Sequence, residues 1–374
     1  MNKIFLDNAS TTKVFDDTCM IMNKYLKDEF YNPGAVYLSS FNVSKDITEA
    51  KNKILKAFGA VDGKIIITGS ASEANNMVLR RAKRSPNQKI IISMGEHPSV
   101  FETARSLEVE GNIVEYVPIT KEGISMIDNN VALVSIMHVS NETGAINNIK
   151  RLCELVKTKS PDTLFHSDGV QAFGKIPVNV DSLGVDFYTI SAHKINGPKG
   201  IGALYVRNKN LIKPLITGGG QEDGFRAGTE NVPQIMAFSY VCEQKIPKIA
   251  ENYEKVLKLR NSFVKDLLIK GDNIITINSP LDKASPYILS ISAIGCRGEV
   301  LLHSLESYNI YLSTGSACSA KVIQNRILNA MGKNREEVEG NLRISFNSYD
   351  EYDIEYITDK IIESIKKFSK HIRR

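Results

Sequence analysis

Four short stretches of the sequence hold residues whose chemistry stands out from their setting. The first is Ser191-Ala192-His193-Lys194-Ile195-Asn196-Gly197-Pro198-Lys199-Gly200, directly after the strand-like run Asp186 to Ile190. A lysine just past a strand, in a Gly- and Pro-rich turn, can project its amine into a cleft. Partial desolvation there lowers the amine's pKa and makes it a nucleophile able to form a Schiff base. The same stretch also reads as a surface loop with two ordinary lysines, Lys194 and Lys199. The second is Phe165-His166-Ser167-Asp168-Gly169-Val170-Gln171, with Asp168 at the end of a predicted strand upstream of Lys194. A buried carboxylate can keep the ring nitrogen of an electron-sink heterocycle protonated. An Asp at a strand end is equally a common turn or cap residue.

The third stretch, Thr68-Gly69-Ser70-Ala71-Ser72-Glu73-Ala74-Asn75-Asn76, again follows a strand pattern. Small residues and a hydroxyl at a helix start expose backbone N–H groups that bind phosphate. An ordinary N-cap with a capping-box-like Ser and Glu has the same signature, and both readings stand. The fourth is Ser313-Thr314-Gly315-Ser316-Ala317-Cys318-Ser319-Ala320. A cysteine among Gly, Ser and Ala lies in a polar, accessible segment, unlike the usual cysteine, a small buried hydrophobe. Cys153 and Cys242 fall in helical patterns and fit the buried description.

These residues need elements to position them. Apolar β-branched runs recur at Lys64 to Thr68, Lys89 to Ser93, Ala132 to Met137 and Ile201 to Val206. Their length suits buried strands. Helical patterns such as Asn147 to Lys159 lie between, and the alternation predicts an α/β fold with a mostly parallel sheet covered by helices. Beyond a long amphipathic pattern, Glu251 to Lys270, come strands predicted at Ile288 to Ser292 and Leu342 to Phe346 and a final helix. The expected organisation is a large domain over 14–250 and a smaller α+β domain from 1–13 and 251–374.

The bulk properties narrow the function. The chain has 374 residues, 42% hydrophobic content and a formal net charge of +5. So mild an excess does not argue for binding nucleic acid or a membrane. The five cysteines (Cys19, Cys153, Cys242, Cys296 and Cys318) are scattered with no CxxC pair, which supports neither a disulfide framework nor a structural zinc site. Reduced thiols are expected. Ile4 to Leu6 reads as a strand with no signal segment before it, and no stretch is apolar enough to span a bilayer. A cytoplasmic protein is expected.

Taken together, the four stretches resemble the cysteine desulfurases, the NifS-like branch of the fold-type I pyridoxal-phosphate enzymes. The likeness runs nearly end to end: Leu6-Asp7-Asn8-Ala9-Ser10-Thr11-Thr12, Glu96-His97, Met137 to Gly144, Gly218-Gly219-Gly220-Gln221-Glu222, Arg226-Ala227-Gly228-Thr229, Gly315-Ser316-Ala317-Cys318 and Arg343-Ile344-Ser345. The resemblance implies that Lys194 holds pyridoxal 5'-phosphate as a Schiff base. His97 would stack on the pyridine face and is a candidate for moving protons. Asp168 would pair with the ring nitrogen, and Gln171, with Asn141 as a further candidate, would bond the ring hydroxyl. Ala71, Ser72, Ser191 and His193 would hold the phosphate. Thr229 looks like a phosphate contact donated by a neighbouring subunit, which implies a homodimer. Arg343 would clamp the substrate carboxylate, which Asn8 and Asn141 also approach. Cys318 would take sulfur from L-cysteine as a persulfide and pass it to an acceptor protein, an iron–sulfur scaffold or a tRNA-thiolation enzyme.

Several positions depart from the family pattern. Tyr37 stands where Asn32-Pro33-Gly34-Ala35-Val36 should lead to a histidine, Gly69-Ser70 is in swapped order, Ser72 replaces Thr, and Asn347 replaces a frequent Gly. None removes a group with an implied catalytic role. A selenocysteine lyase or aminotransferase of the same fold, and a non-catalytic scaffold for sulfur-transfer partners, are the rival readings. An aminotransferase has no need of a cysteine at 318, and an intact set of Lys194, Asp168, His97 and Cys318 argues against a scaffold.

Overall fold

A computed structural model describes residues 3–82, 84–85, 87–118, 127–315 and 325–372. They form two compact units. One comprises Lys13–His138 and Asn147–Ile249; the other comprises Met1–Thr12, Val139–Ile146 and Ala250–Arg374. The expected boundaries of 14–250 and 1–13 with 251–374 differ from this by one residue at each junction, Lys13 and Ala250, and by the excursion Val139–Ile146. That segment belongs with the later residues because Ile146 N–H donates to Lys283 O at 2.9 Å. Gly144 also approaches β-strand backbone so closely that a Cβ there would lie 2.8 Å from Ile288 O.

Along the chain come β1 (Ile4–Phe5), α1 (Asp16–Lys27), α2 (Leu38–Ala57), β2 (Lys64–Thr68), α3 (Ala71–Arg81), β3 (Lys89–Ser93), α4 (Pro98–Val109) and β4 (Val114–Val117). Then follow β5 (Val131–Ser135), β6 (Leu164–Asp168), β7 (Phe187–Ser191) and β8 (Gly202–Val206). The seven strands β2 to β8 form one sheet in the order β2-β8-β7-β6-β5-β3-β4. β8 is antiparallel to both neighbours, and every other pairing is parallel.

The Ile-rich runs form central strands because both faces are covered. Alternate residues supply opposite layers. Ile65, Ile67, Ile91, Val134, Phe165 and Tyr188 join the core that includes Val43 and Ile47 of α2 and Phe238 of helix Val232–Lys245. Ile66, Ile90, Ile92, Leu133, Leu164 and Phe187 join the core under α3 and α4, with Met77, Val78, Val100 and Ala104. The sheet order sets up the site. β2, β3, β6 and β7 all run in one direction, so their C-terminal ends share one sheet edge, where ligands of open α/β sheets bind. The segments leaving that edge carry Ser70, His97, Asp168 and Lys194.

In the other unit, β9 (Ile275–Ile277), β10 (Ile288–Ala293) and β12 (Asn341–Ser345) make an antiparallel sheet in the order β12-β10-β9, and β1 pairs in parallel with β11 (Ile310–Tyr311). Helix Ile354–Ile372 buries Ile357, Ile361, Ile362 and Ile365, a stripe at helical spacing, in the same core as Leu301 and Leu305 of helix Gly298–Glu306.

Candidate active site

Lys194 closes a single 3-10 turn, Ala192–Lys194, that continues from β7. The chain then folds back: the N–H groups of Ile195 and Gly197 both donate to Ala192 O at 3.0 Å. Asn196 takes a left-handed φ of 69°, a conformation its short polar side chain tolerates. Its buried amide donates to Lys13 O at 2.8 Å and accepts from Lys245 Nζ at 2.9 Å. Gly197 is required by close approach, since a Cβ would lie 2.9 Å from Ala192 Cβ. The loop that bears Lys194 is thus a fixed turn, not a slack surface connection.

On the adjacent strand, Asp168 ends β6 and is almost fully buried. Its Oδ1 accepts from Val170 N–H at 3.0 Å and its Oδ2 from Asn75 Nδ2 at 2.9 Å. Two N–H donors stabilise the charged carboxylate. Behind it lie buried histidines. His166 shares protons with Ser135 Oγ (2.8 Å) and Thr189 Oγ1 (3.1 Å), and burial pushes its pKa down to about 4 against the opposing pull of Asp168. His138 bonds Tyr188 Oη at 2.7 Å, and burial pushes it down to about 4 as well. Gly169 lies so close to the Tyr188 ring that any Cβ would overlap it. Gln171 Oε1 accepts from Lys175 Nζ at 2.7 Å, both side chains buried.

His97 is the N-cap of α4, with Pro98 at the first helical position. Its Nδ1 accepts from Ser99 N–H at 3.1 Å and lies 2.8 Å from Ser99 Oγ. Ser99 Oγ in turn accepts from Asn75 Nδ2 at 2.8 Å.

The start of α3 resolves the choice between cap and anion site in part: Ser70 is a true N-cap, its Oγ accepting from Glu73 N–H at 3.2 Å. Glu73 Oε2 accepts from Gly69 N–H at 2.8 Å, and Glu73 Oε1 takes Arg226 Nε at 2.9 Å. Gly202, at the start of β8, packs under this turn; a Cβ there would lie 2.7 Å from the carbonyl carbon of Ser70. Ala71 and the exposed Ser72 occupy the first helical positions. Ser191 is buried at the end of β7. His193 is pushed down to about 4, first by burial and then by the charges of Lys194, Lys199 and Lys175. The Gly-rich segment is pinned by Arg226 on Glu73 and by the buried Glu222, which pairs with Lys51 at 2.7 Å and accepts from Ile67 N–H at 3.0 Å. Asp223 pairs with Lys64. Those bonds hold Glu222 and Asp223 at φ of 50° and 54°. Thr229, at the end of this segment, is exposed.

In the second unit, Arg343 on β12 is buried, with both terminal nitrogens engaged and its Nε without a hydrogen-bond partner. Nη2 donates to Asp7 Oδ1 (2.9 Å) and Ser10 Oγ (2.7 Å), and Nη1 donates to Asn141 O (3.0 Å) with Glu142 Oε1 at 3.8 Å. Glu142 is raised above the usual carboxyl range by burial, against the opposing charge of Arg343. Asn141 Nδ2 donates to Glu142 Oε1 at 3.1 Å. Asn8 Nδ2 donates to Phe5 O and Ser345 O at 3.1 and 3.0 Å, so its donors already serve the backbone. The acceptor atoms Asn8 Oδ1 and Asn141 Oδ1 are buried without a hydrogen-bond partner. Cys318 lies outside the described residues. Cys153 and Cys242 are buried as expected, and burial raises both thiols, Cys153 to about 11.

Within the first unit, Lys194, Asp168, His97, Gln171, Ser191, His193 and the start of α3 all leave the one sheet edge. Sequence reasoning missed Asn75 and Ser99, which join Asp168 to His97, and Asp7, Ser10 and Glu142 around Arg343. A signal existed for Asn75: it lies in a helical pattern beside Ala74, Met77 and Val78, and a polar residue on an apolar face needs a buried partner.

The aminotransferase class-V family model matches residues 4–356. A cysteine desulfurase IscS of Dictyoglomus turgidum is 36% identical over 99% of this chain and 97% of its own. Among solved structures, a NifS-like protein superimposes with a TM-score of 0.91 at 33% identity, covering 98% of this chain and 100% of its own. SspA, solved in complex with cysteine, has a TM-score of 0.78 at 29% identity over 94% of this chain and 100% of its own. The mostly parallel sheet and the matches over the whole length agree, and the chain belongs to the aminotransferase class-V family, among its cysteine desulfurases.

Proposed function

We propose that this protein converts L-cysteine to L-alanine and transfers the sulfur to Cys318. The observation that carries the reading is the delivery of Lys194 and Asp168 from the ends of adjacent strands, β7 and β6, with His97 tied to Asp168 through Asn75 and Ser99. The residues fit pyridoxal 5'-phosphate. Asp168, held by two N–H donors, suits a protonated ring nitrogen. The lysine charges around His193 and the first turn of α3 suit a phosphate. When bound, that cofactor supplies the electron sink that lets the substrate's Cα–H and then Cβ–S bonds break.

In this reading Lys194 anchors the cofactor and then serves as the base at the substrate Cα. Ala71, Ser72, Ser191 and His193 hold the phosphate, and Gln171 with Asn141 bonds the ring hydroxyl. Arg343 offers its guanidinium to the substrate carboxylate. Asn8, whose donors are engaged, acts there through its position in the β1 segment. The Cys318 thiolate attacks the substrate sulfur; the Cβ–S bond breaks, an S–S bond forms, and Cβ takes up the proton, so cysteine plus thiol gives alanine plus persulfide. An acceptor protein, an iron–sulfur scaffold or a tRNA-thiolation enzyme, then removes the sulfur. A homodimer would bring Thr229 to the partner's phosphate. Exposed Met20, Leu26, Phe30, Val36, Leu38 and Phe41 on and between α1 and α2 offer apolar area for such an association. Among the described residues no helix is long and apolar enough to cross a membrane, and chemistry at a free thiol suits the reducing cytoplasm.

The test is single-turnover alanine release from L-cysteine. The wild-type protein should release alanine and carry a persulfide on Cys318. Cys318→Ser should still bind pyridoxal phosphate yet release almost no alanine, and undiminished turnover in that variant would sink the proposal.

A further inference from the structure

We infer that Asn75 is a positioning residue that couples the carboxylate of Asp168 to the imidazole of His97 through Ser99. The inference rests on the proposed function for the roles of Asp168 and His97. The coupling itself rests on geometry. Asn75 is fully buried on α3. Its one amide nitrogen makes two bonds, to Asp168 Oδ2 at 2.9 Å and to Ser99 Oγ at 2.8 Å. Its Oδ1 has no hydrogen-bond partner.

That pattern fixes the amide. Turning it over would set Oδ1 against a carboxylate oxygen, acceptor facing acceptor, and remove a donor from a buried charge. Asp168 therefore determines which end of Asn75 faces Ser99. Ser99 Oγ, having accepted a hydrogen bond from Asn75, is left to donate its own hydrogen to His97 Nδ1. Ser99 N–H donates to the same nitrogen at 3.1 Å. Nδ1 thus acts only as an acceptor, and the neutral imidazole carries its proton on Nε2. α3 and α4 share a packed core through Ala74, Val78, Val100 and Ala104, so the donors and acceptors sit on rigid elements, as preorganised sites require. Asn75 and Ser99 have no role in the chemistry except to orient their neighbours, and a change of charge at Asp168 reaches His97 through them.

Two measurements on the apoprotein test this. In 15N NMR of the histidine side chains, His97 Nδ1 should be unprotonated in the wild type. Ser99→Ala, which leaves the Asp168 contact untouched, and Asn75→Ala should each bring a mixture of tautomers. A single Nε2–H tautomer retained in both variants would overturn the coupling. The second measurement is titration with pyridoxal phosphate, arranged as a double-mutant cycle. Asn75→Ala should weaken binding by about tenfold, the scale of one hydrogen bond to a charged group. Asn75→Ala combined with His97→Ala should weaken it by less than the product of the two single effects. Strict additivity would show that Asn75 acts on Asp168 alone and would reject the link to His97. If the wild-type apoprotein binds no pyridoxal phosphate, the proposed function fails, while the NMR result still decides the coupling.

Discussion

Replacing Asp168 by Asn probes the centre of the site by changing one atom. The carboxylate accepts at both oxygens, from Val170 N–H at 3.0 Å and from Asn75 Nδ2 at 2.9 Å. An asparagine can accept at only one. With its oxygen kept toward Val170, its amino group meets the amino group of Asn75. Relief requires Asn75 to turn over and present Oδ1, which has no partner in the wild type. The turned amide accepts from residue 168 and from Ser99 Oγ, so Ser99 no longer donates to His97. Two charge-assisted hydrogen bonds become neutral ones, and the orphaned position passes from Asn75 Oδ1 to Asn75 Nδ2. The net cost to folding should be modest, about 1–3 kcal/mol.

The effect on turnover is different in kind. A neutral amide does not hold a ring nitrogen in its protonated form, so the loss is one preorganised electrostatic contact, roughly 10²–10³ in kcat. Alanine release at saturating cysteine measures the rate, and urea unfolding of the apoprotein measures the fold. Asp168→Asn should leave a cooperative transition and lose at least a hundredfold in turnover. Near wild-type turnover in a folded, cofactor-loaded variant would refute the role of Asp168. A variant that fails to fold would show that Asn75 cannot turn.

Two further outcomes follow from the burial of charge. Arg343→Lys puts one ammonium where a planar fork reaches Asp7, Ser10 and Asn141 O at once; KM for cysteine should rise by about tenfold or more with a smaller change in kcat, and an unchanged KM would remove Arg343 from substrate binding. His138 and His166 are buried with pKa values near 4, below the 6.5 of an unfolded chain, so the unfolded state takes up protons first as pH falls. Their contribution is complete above pH 6.5 and is lost as pH drops toward 4, by roughly 3 kcal/mol at most for each. Urea midpoints at pH 7.5, 5.5 and 4.5 should fall accordingly, and a smaller fall in His166→Gln would locate the effect, whereas an equal fall would reject it.

How far these features could be read from the chain depends on whether their cause is local. The runs Lys64 to Thr68 and Lys89 to Ser93 coincide with β2 and β3, because a strand covered on both faces must be apolar at every position. β4, Val-Glu-Tyr-Val, was not anticipated. It is an edge strand with only Val117 buried, so neither continuous apolarity nor alternation marks it. The excursion Val139–Ile146 leaves no local trace either, since what assigns it is pairing with residues near Lys283 and Ile288, far away in sequence. The site divides in the same way. Lys194 and Asp168 stand out because a charged residue at the end of an apolar strand is conspicuous in one dimension. Ser99 does not, because a Ser in a first turn is an ordinary surface choice, and the place of Asn75 on an apolar helix face says that it needs a buried partner but not which one. Their meaning arises only when β2 and β3, separated in the sheet by β8, β7, β6 and β5, send α3 and α4 to the same face. The reactive groups are therefore the legible part of such a site. The groups that orient them are found by asking which buried polar side chain on a packed helix spends its donors on another residue's charge.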